Sequence, residues 1–214
     1  MEGVVVRKYK KEDRPSVRRI VCDTAAIGEP AELFFEDRGV LADFLSRYFT
    51  DYEPQSCFVA EHKGEVIGYL LGAKDTAAMK TALLLRIFPR LFMQALVRGT
   101  FFKKKNSSFI WLSLLVSLKG GYSAPNLSDY PAVLHINIDK NFRGGDAGTK
   151  LMAAYLDYLS KEKVQGVHLR TMSAKAGDFF TKQGFTLLSS QKEMVFSKIF
   201  GNAVSVYFYG KRIG

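Results

Sequence analysis

The stretch from Tyr130 to Met172 restricts the possible folds more than any other part of the chain. Tyr130–Ile138 reads YPAVLHINI, with Leu134, Ile136 and Ile138 alternating with His135 and Asn137. That is the period of a strand with two different faces. A turn of small residues follows, and Thr149–Glu162 then sets Leu151, Met152, Tyr155, Tyr158 and Leu159 at helical spacing. Val167–Met172 is a second strand. Strand, helix and strand in this order require a parallel pair joined by a right-handed crossover. An all-helical or purely antiparallel fold is excluded.

The rest of the chain supplies further elements of both kinds. Val4–Arg7 is a short β-branched strand, and Glu12–Ala25 and Arg38–Phe49 have helical periodicity. Ser56–Glu61 and Glu65–Gly72 flank His62-Lys63-Gly64, the spacing of an antiparallel hairpin. Gly68 and Gly72 inside the second strand point to a close approach by a neighbouring group. Ala174–Gln183 is a short helix closed by Gly184, and Phe185–Leu188 and Val204–Tyr209 are the last strands. The expected architecture is mixed α and β, one domain over residues 1–214, around a single central sheet.

The turn between strand and helix has a chemistry of its own. Asn141–Met152 reads NFRGGDAGTKLM. Small residues let backbone N–H groups approach a ligand, and the helix N-terminus adds positive potential, which together suit an anion. Arg143 can add a charge-assisted hydrogen bond to phosphate oxygens. The spacing matches neither a Walker loop nor a dinucleotide-binding fingerprint, and a plain tight turn explains the glycines equally well.

In order and spacing the sequence resembles the GNAT N-acetyltransferases. Their pyrophosphate loop, Val-x-Pro-x-Tyr-Arg-Gly-x-Gly-Ile-Gly-Ser, aligns without a gap on Ile138, Phe142, Arg143, Gly144, Ala147, Gly148 and Thr149. A later motif of the family, Asn-x-x-Ala-x-x-Phe-Tyr-x-x-x-Gly-Phe, aligns on Ala176, Phe179, Gly184 and Phe185. The resemblance implies a mixed sheet whose two parallel strands splay apart, flanked by helices. It also implies transfer of an acetyl group from acetyl-CoA, as cosubstrate and without a metal, to the amine of a small molecule or peptide. Carried over by position, the Ile138 backbone would pair with the pantetheine arm. The amides of Gly144, Gly145, Asp146, Ala147, Gly148 and Thr149 would hold the pyrophosphate beside Arg143, and Ser173 would stand at the asparagine of the later motif.

Two positions depart from the family pattern. Asp146 replaces the middle glycine of the loop and brings a negative charge to a phosphate site; it is expected to point outward. Phe180 replaces the tyrosine that commonly protonates the departing thiolate, and a phenyl ring has no proton to give.

An amine attacks a thioester only when neutral, so a base is needed near the splay. His135 and His168 lie on the two parallel strands, and imidazole titrates near neutrality. Glu61, at the end of the first hairpin strand, is a third candidate, and Tyr207 on the last strand is a candidate acid. Each has an ordinary structural alternative: a hydrogen-bonded strand histidine, an exposed turn carboxylate, or a tyrosine covering a sheet face. No close His/Cys/acid cluster suggests a metal.

Charge is concentrated where the family resemblance stops. The chain carries a net +10, yet residues 74–120 hold nine basic groups against one acid, Asp75. This block reads as a helical insertion between the third and fourth strands. Arg86, Arg90, Gln94 and Arg98 recur every four residues, and Leu84, Leu85, Ile87, Phe88, Leu91, Phe92, Ala95 and Leu96 form a wide apolar face. Three roles are open to it: a lid with its apolar face on the sheet and its basic face in water, a wall of the acceptor pocket, or a docking surface. For docking, peripheral membrane contact through residues 81–118 is one option; nucleic acid ranks behind the acceptor. No signal-peptide run follows the N-terminal charges and no apolar stretch is long enough to span a bilayer, so a cytoplasmic location is expected. The reading from another functional class is a degenerate fold of this family that binds CoA, a protein or an anionic surface without turnover.

Overall fold

The computed structural model describes residues 3–120 and 124–214. Seven strands form one sheet: β1 (Val4–Lys8), β2 (Phe58–His62), β3 (Glu65–Ala73), β4 (Ala132–Ile138), β5 (Gly166–Thr171), β6 (Thr186–Glu193) and β7 (Val204–Arg212). Their order across the sheet is β1-β2-β3-β4-β5-β7-β6, and only β4 and β5 run parallel. Among the described residues eight α-helices accompany them: α1 (Arg14–Asp23), α2 (Arg38–Asp51), α3 (Thr76–Ala82), α4 (Phe88–Val97), α5 (Lys104–Leu118), α6 (Ala147–Lys161), α7 (Ala174–Lys182) and α8 (Met194–Phe200).

Alternation along the strands sorts the core onto two faces. Phe58, Ala60, Ile67, Leu70 and Leu134 meet Leu151, Met152, Tyr155 and Leu159 of α6 on one side. Val59, Val66, Tyr69 and Leu71 meet Val17, Ile20 and Val21 of α1 on the other. The two glycines of β3 lie under side chains: a methyl group on Gly72 would overlap the ring of Tyr155, and one on Gly68 would overlap Ile138. Tyr155 then donates its hydroxyl to the Val133 carbonyl at 3.0 Å, fixing α6 to β4.

The insertion between β3 and β4 is helical, and the domain covers only part of its apolar face. Only Ile87, Leu91 and Ala95 of the apolar face are buried, while Leu84, Leu85, Phe92 and Leu96 face water. A π-type turn over Leu83–Ile87 joins α3 to α4 without a break, and Pro89, which has no N–H to give the ladder, stands just after it. The polar stripe turns partly inward instead. Arg98 binds Asp37, the N-cap of α2, which also accepts from Thr100 at 2.6 Å. These donors hold the Asp37 carboxyl down at about 2. Buried Asn106 accepts from the Glu36 amide at 2.6 Å and donates to the Thr100 carbonyl. The inner side of the insertion is thus held by Ile87, Leu91 and Ala95 together with these polar contacts, and its outer side keeps much of its apolar surface.

The β6–β7 connection also differs from expectation. β6 extends to Glu193, which caps the additional helix α8 by accepting from the Phe196 amide. Phe196 packs on Phe34 of the α1–α2 loop at 5.0 Å between ring centres, and Phe109 of α5 packs on the same ring at 4.8 Å. Three segments distant in sequence thus share one aromatic cluster. No helix among the described residues is long and apolar enough to cross a membrane.

Candidate active site

The parallel ladder between β4 and β5 has two rungs, Ala132 opposite Val167 and Val133 opposite His168. Beyond them the strands part. From Leu134 to Ile138 the β4 backbone is paired with β3 on one edge only. Its other edge therefore offers N–H and C=O groups to a ligand lying between the strands.

At the open end of this gap the chain turns through Gly144, at φ +86°, into the first turn of α6. No side chain caps this helix. The amides of Ala147, Gly148 and Thr149 are left to an external acceptor, as the first turn of any helix leaves them. Gly148 lies close beneath Phe179, where a methyl group would sit 3.4 Å from the ring. Asp146 points outward, as its sequence position suggested, and pairs with Lys150 at 2.7 Å. That lysine holds the carboxyl below the usual range.

Arg143 is committed to backbone. Its Nε donates to the Ile138 carbonyl at 3.1 Å and its Nη2 to the Gly28 carbonyl at 3.0 Å. The guanidinium ties the loop to the α1–α2 segment. Ser173 serves as N-cap of α7, accepting from the Ala176 amide at 3.2 Å. Phe180 is buried among Phe179, Phe185 and Tyr209, filling with apolar contact the place a tyrosine would take.

The four candidates for the chemistry fall in different surroundings. His135 stands at the splay on the α1 side, and Asn137 Nδ2 lies 3.1 Å from its Nε2 and 2.9 Å from the Tyr69 hydroxyl. The amide donates to both, which places the imidazole proton on Nδ1. Burial pushes the His135 pKa down to about 4, with a smaller contribution from Arg170 on β5. His168 sits at the closed end of the splay, buried, with Nδ1 2.7 Å from the Tyr130 carbonyl. Its lowered pKa comes chiefly from burial, and its hydrogen bond is that of a structural histidine. Glu61 is ion-paired to Arg7 at 2.8 Å on β2, two strands from the gap. Tyr207 lies on β7 opposite Thr171, the last residue of β5, half-buried at the open end of the splay. The Tyr69–Asn137 pair was not singled out by the sequence, although Asn137 shares a strand face with His135.

Among the described residues no group of three His, Cys, Asp or Glu side chains is placed to hold a metal ion. Cys22 and Cys57 are both buried and unbridged.

The site thus joins one parallel strand pair that separates after two rungs to a helix N-terminus that no side chain caps. The chain belongs to the Acetyltransferase (GNAT) family, which it matches over residues 27–185. Similar solved structures share the whole fold. The crystal structure of SsHAT is 24% identical with a TM-score of 0.75, covering 99% of each chain. A mutant agmatine N-acetyltransferase, in apo form, is 17% identical with a TM-score of 0.61, covering 99% of this chain and 100% of that one. The polyamine N-acetyltransferase of Drosophila melanogaster is 16% identical with a TM-score of 0.62, covering 98% and 99%. A comparison with curated protein sequences returns no match.

Proposed function

We propose that this chain transfers an acetyl group from acetyl-CoA to the primary amine of a small molecule or peptide. The splay between β4 and β5 carries the proposal, because it supplies an unpaired backbone edge beside an anion-attracting helix end. That combination fits a pantetheine arm ending in a pyrophosphate. Acetyl-CoA would supply an activated thioester, whose C–S bond breaks as the amine nitrogen bonds to the carbonyl carbon.

The residues of the chain would bind, orient and move protons. The Leu134–Ile138 edge would hold the pantetheine amides, and the amides from Gly144 to Thr149 would hold the phosphates. Arg143 acts on that loop through the Ile138 and Gly28 carbonyls and not as a free cation. His135 would serve as a neutral hydrogen-bonding wall of the acceptor side. With a pKa near 4 it takes a proton poorly from an ordinary ammonium, and Asn137 already occupies its lone pair. Tyr207, opposite the last residue of β5, would give its proton to the departing sulfur in place of the residue at Phe180, and its phenolate would take one back from the acylated nitrogen. The amine would enter neutral, its ammonium proton lost to water. Two structural neighbours bear the names of agmatine and polyamine N-acetyltransferases, which supports an amine as acceptor class.

A thiol-release assay with acetyl-CoA and an amine panel containing agmatine, polyamines and short peptides tests the proposal. Turnover is expected with at least one amine. Tyr207→Phe should lower kcat by about 100-fold at unchanged KM for acetyl-CoA. The binding-module reading rests on Phe180 being packed in the core. Thermal stabilisation by CoA without turnover on any amine would establish that alternative.

A further inference from the structure

The outer face of the insertion combines two properties that a solitary soluble surface rarely shows together. Leu85 is 68% exposed, Phe92 56%, Trp111 62% and Phe102 92%. Exposed apolar groups on this scale mark a docking site. Phe92 touches Phe101 at 5.7 Å, so the outer side of α4 adjoins the turn Thr100–Phe102, which runs through exposed Phe102 straight into Lys103 and Lys104.

The charge on the same segment is also uncompensated. Lys74 is spent on Glu162, Arg98 on Asp37, and Lys105 on the Glu32 carbonyl. Among the described residues, Arg86, Lys103, Lys104 and Lys119 make no ion pair. The single acid of the segment, Asp75, caps α3. Lys103–Lys105 moreover stand at the N-terminal end of α5, where positive charge opposes the helix dipole. Within the chain that arrangement is unfavourable; an external anion reverses its sign.

Three occupants can be compared by chemistry. A second copy would bring the same positive block against this one and be repelled. A nucleic acid would satisfy the lysines but offers no apolar phase to Leu85, Phe92 and Leu96. An anionic bilayer offers both phosphate headgroups and a hydrocarbon boundary. We infer that the outer face of α4 and α5 docks peripherally on anionic phospholipid membranes, with Phe92, Leu96 and Trp111 entering the interface while Arg86, Lys103 and Lys104 meet the headgroups. The inference is independent of acyl transfer.

Trp111 is the only tryptophan of the chain and so reports on this surface alone. Its emission should shift to the blue when the full chain meets phosphatidylcholine vesicles containing phosphatidylserine, and sedimentation with them should weaken as salt rises. The pair Lys103→Glu with Lys104→Glu should lower partitioning by roughly tenfold or more. The pair Phe92→Glu with Leu96→Glu should abolish it, while the lysine pair, whose side chains are exposed, keeps the wild-type melting temperature and so reads partitioning alone. The inference is overturned by no partitioning to anionic vesicles at low salt, or by equal partitioning to pure phosphatidylcholine. It is equally overturned if the wild type is a dimer that Phe92→Glu dissociates, or if duplex DNA binds and the apolar variant binds it as well as the wild type.

Discussion

Arg143 grips Gly28 across the mouth of the candidate site, its Nη2 donating to the Gly28 carbonyl at 3.0 Å. The same guanidinium holds the Ile138 carbonyl, so one side chain joins the end of β4 to the α1–α2 segment. Gly28 has φ +93°, and a methyl group there would come within 3.2 Å of Arg143 Nη1. Arg143→Ala should weaken acetyl-CoA binding by about tenfold in titration calorimetry, as two charge-assisted hydrogen bonds ordering the loop are lost. Gly28→Ala should destabilise the fold by about 1–2 kcal/mol through its left-handed backbone alone. Wild-type affinity in Arg143→Ala would show that the loop needs no such brace.

Asp146 faces water and pairs with Lys150, yet it occupies the turn nearest the helix end that would hold phosphate. Its charge is screened but not removed. Asp146→Gly should tighten acetyl-CoA binding by about two- to fivefold, with the gain shrinking as salt rises. An unchanged Kd at low salt would mean that the carboxylate lies outside the field of the phosphates.

His135 links pH to stability. Its folded pKa near 4 lies below the ordinary 6.5 because burial disfavours the imidazolium. Above pH 6.5 both folded and unfolded chains carry it neutral. Between 6.5 and 4 the unfolded chain takes up a proton that the folded one refuses, so stability falls as pH falls, by up to roughly 3 kcal/mol. His168 shifts in the same direction. Asp37, held at about 2 against an ordinary 3.8, adds a second loss only below pH 4. Melting temperatures from pH 7.5 to 3 should therefore decline in two stages, and His135→Gln should flatten the first. A kinetic limb near pH 6 to 7 that survives in His135→Gln would belong to another group.

Gly72 is required by the ring above it. Tyr155 occupies the space a side chain would need while bonded to the Val133 carbonyl. Gly72→Ala should cost about 1–3 kcal/mol by overpacking, read from urea unfolding. The double variant with Tyr155→Phe should restore little stability, since removing the hydroxyl, 2.6 Å from the methyl group, leaves a ring carbon that lies nearer still in place. Full stability in Gly72→Ala would show that α6 can move off the sheet at little cost.

Periodicity and spacing alone carried the strand–helix–strand unit, the hairpin and the glycine-rich turn, because those patterns are local and a sheet of this kind has few ways to close. The same local logic placed His135 and Asn137 on one face, and the family resemblance marked Asp146 and Phe180 as departures. The sequence could not show that Arg143 would be spent on the Gly28 carbonyl, that His168 would bond to Tyr130, or that Glu61 would pair with Arg7. Those partners lie tens of residues away and are chosen by how the strands stack. Nor did it disclose α8: Met194–Phe200 is short enough to read as strand or helix, and Glu193, Phe34 and Phe109 decide it. The insertion makes the contrast sharpest. Its sequence determined that it is helical, apolar and basic. Tertiary structure decided that Ile87, Leu91 and Ala95 face the domain beside the Arg98–Asp37 and Asn106 contacts while Phe92, Leu96 and Trp111 stay in water, because the core meets only one side of a helix whose apolar surface is wider than that side.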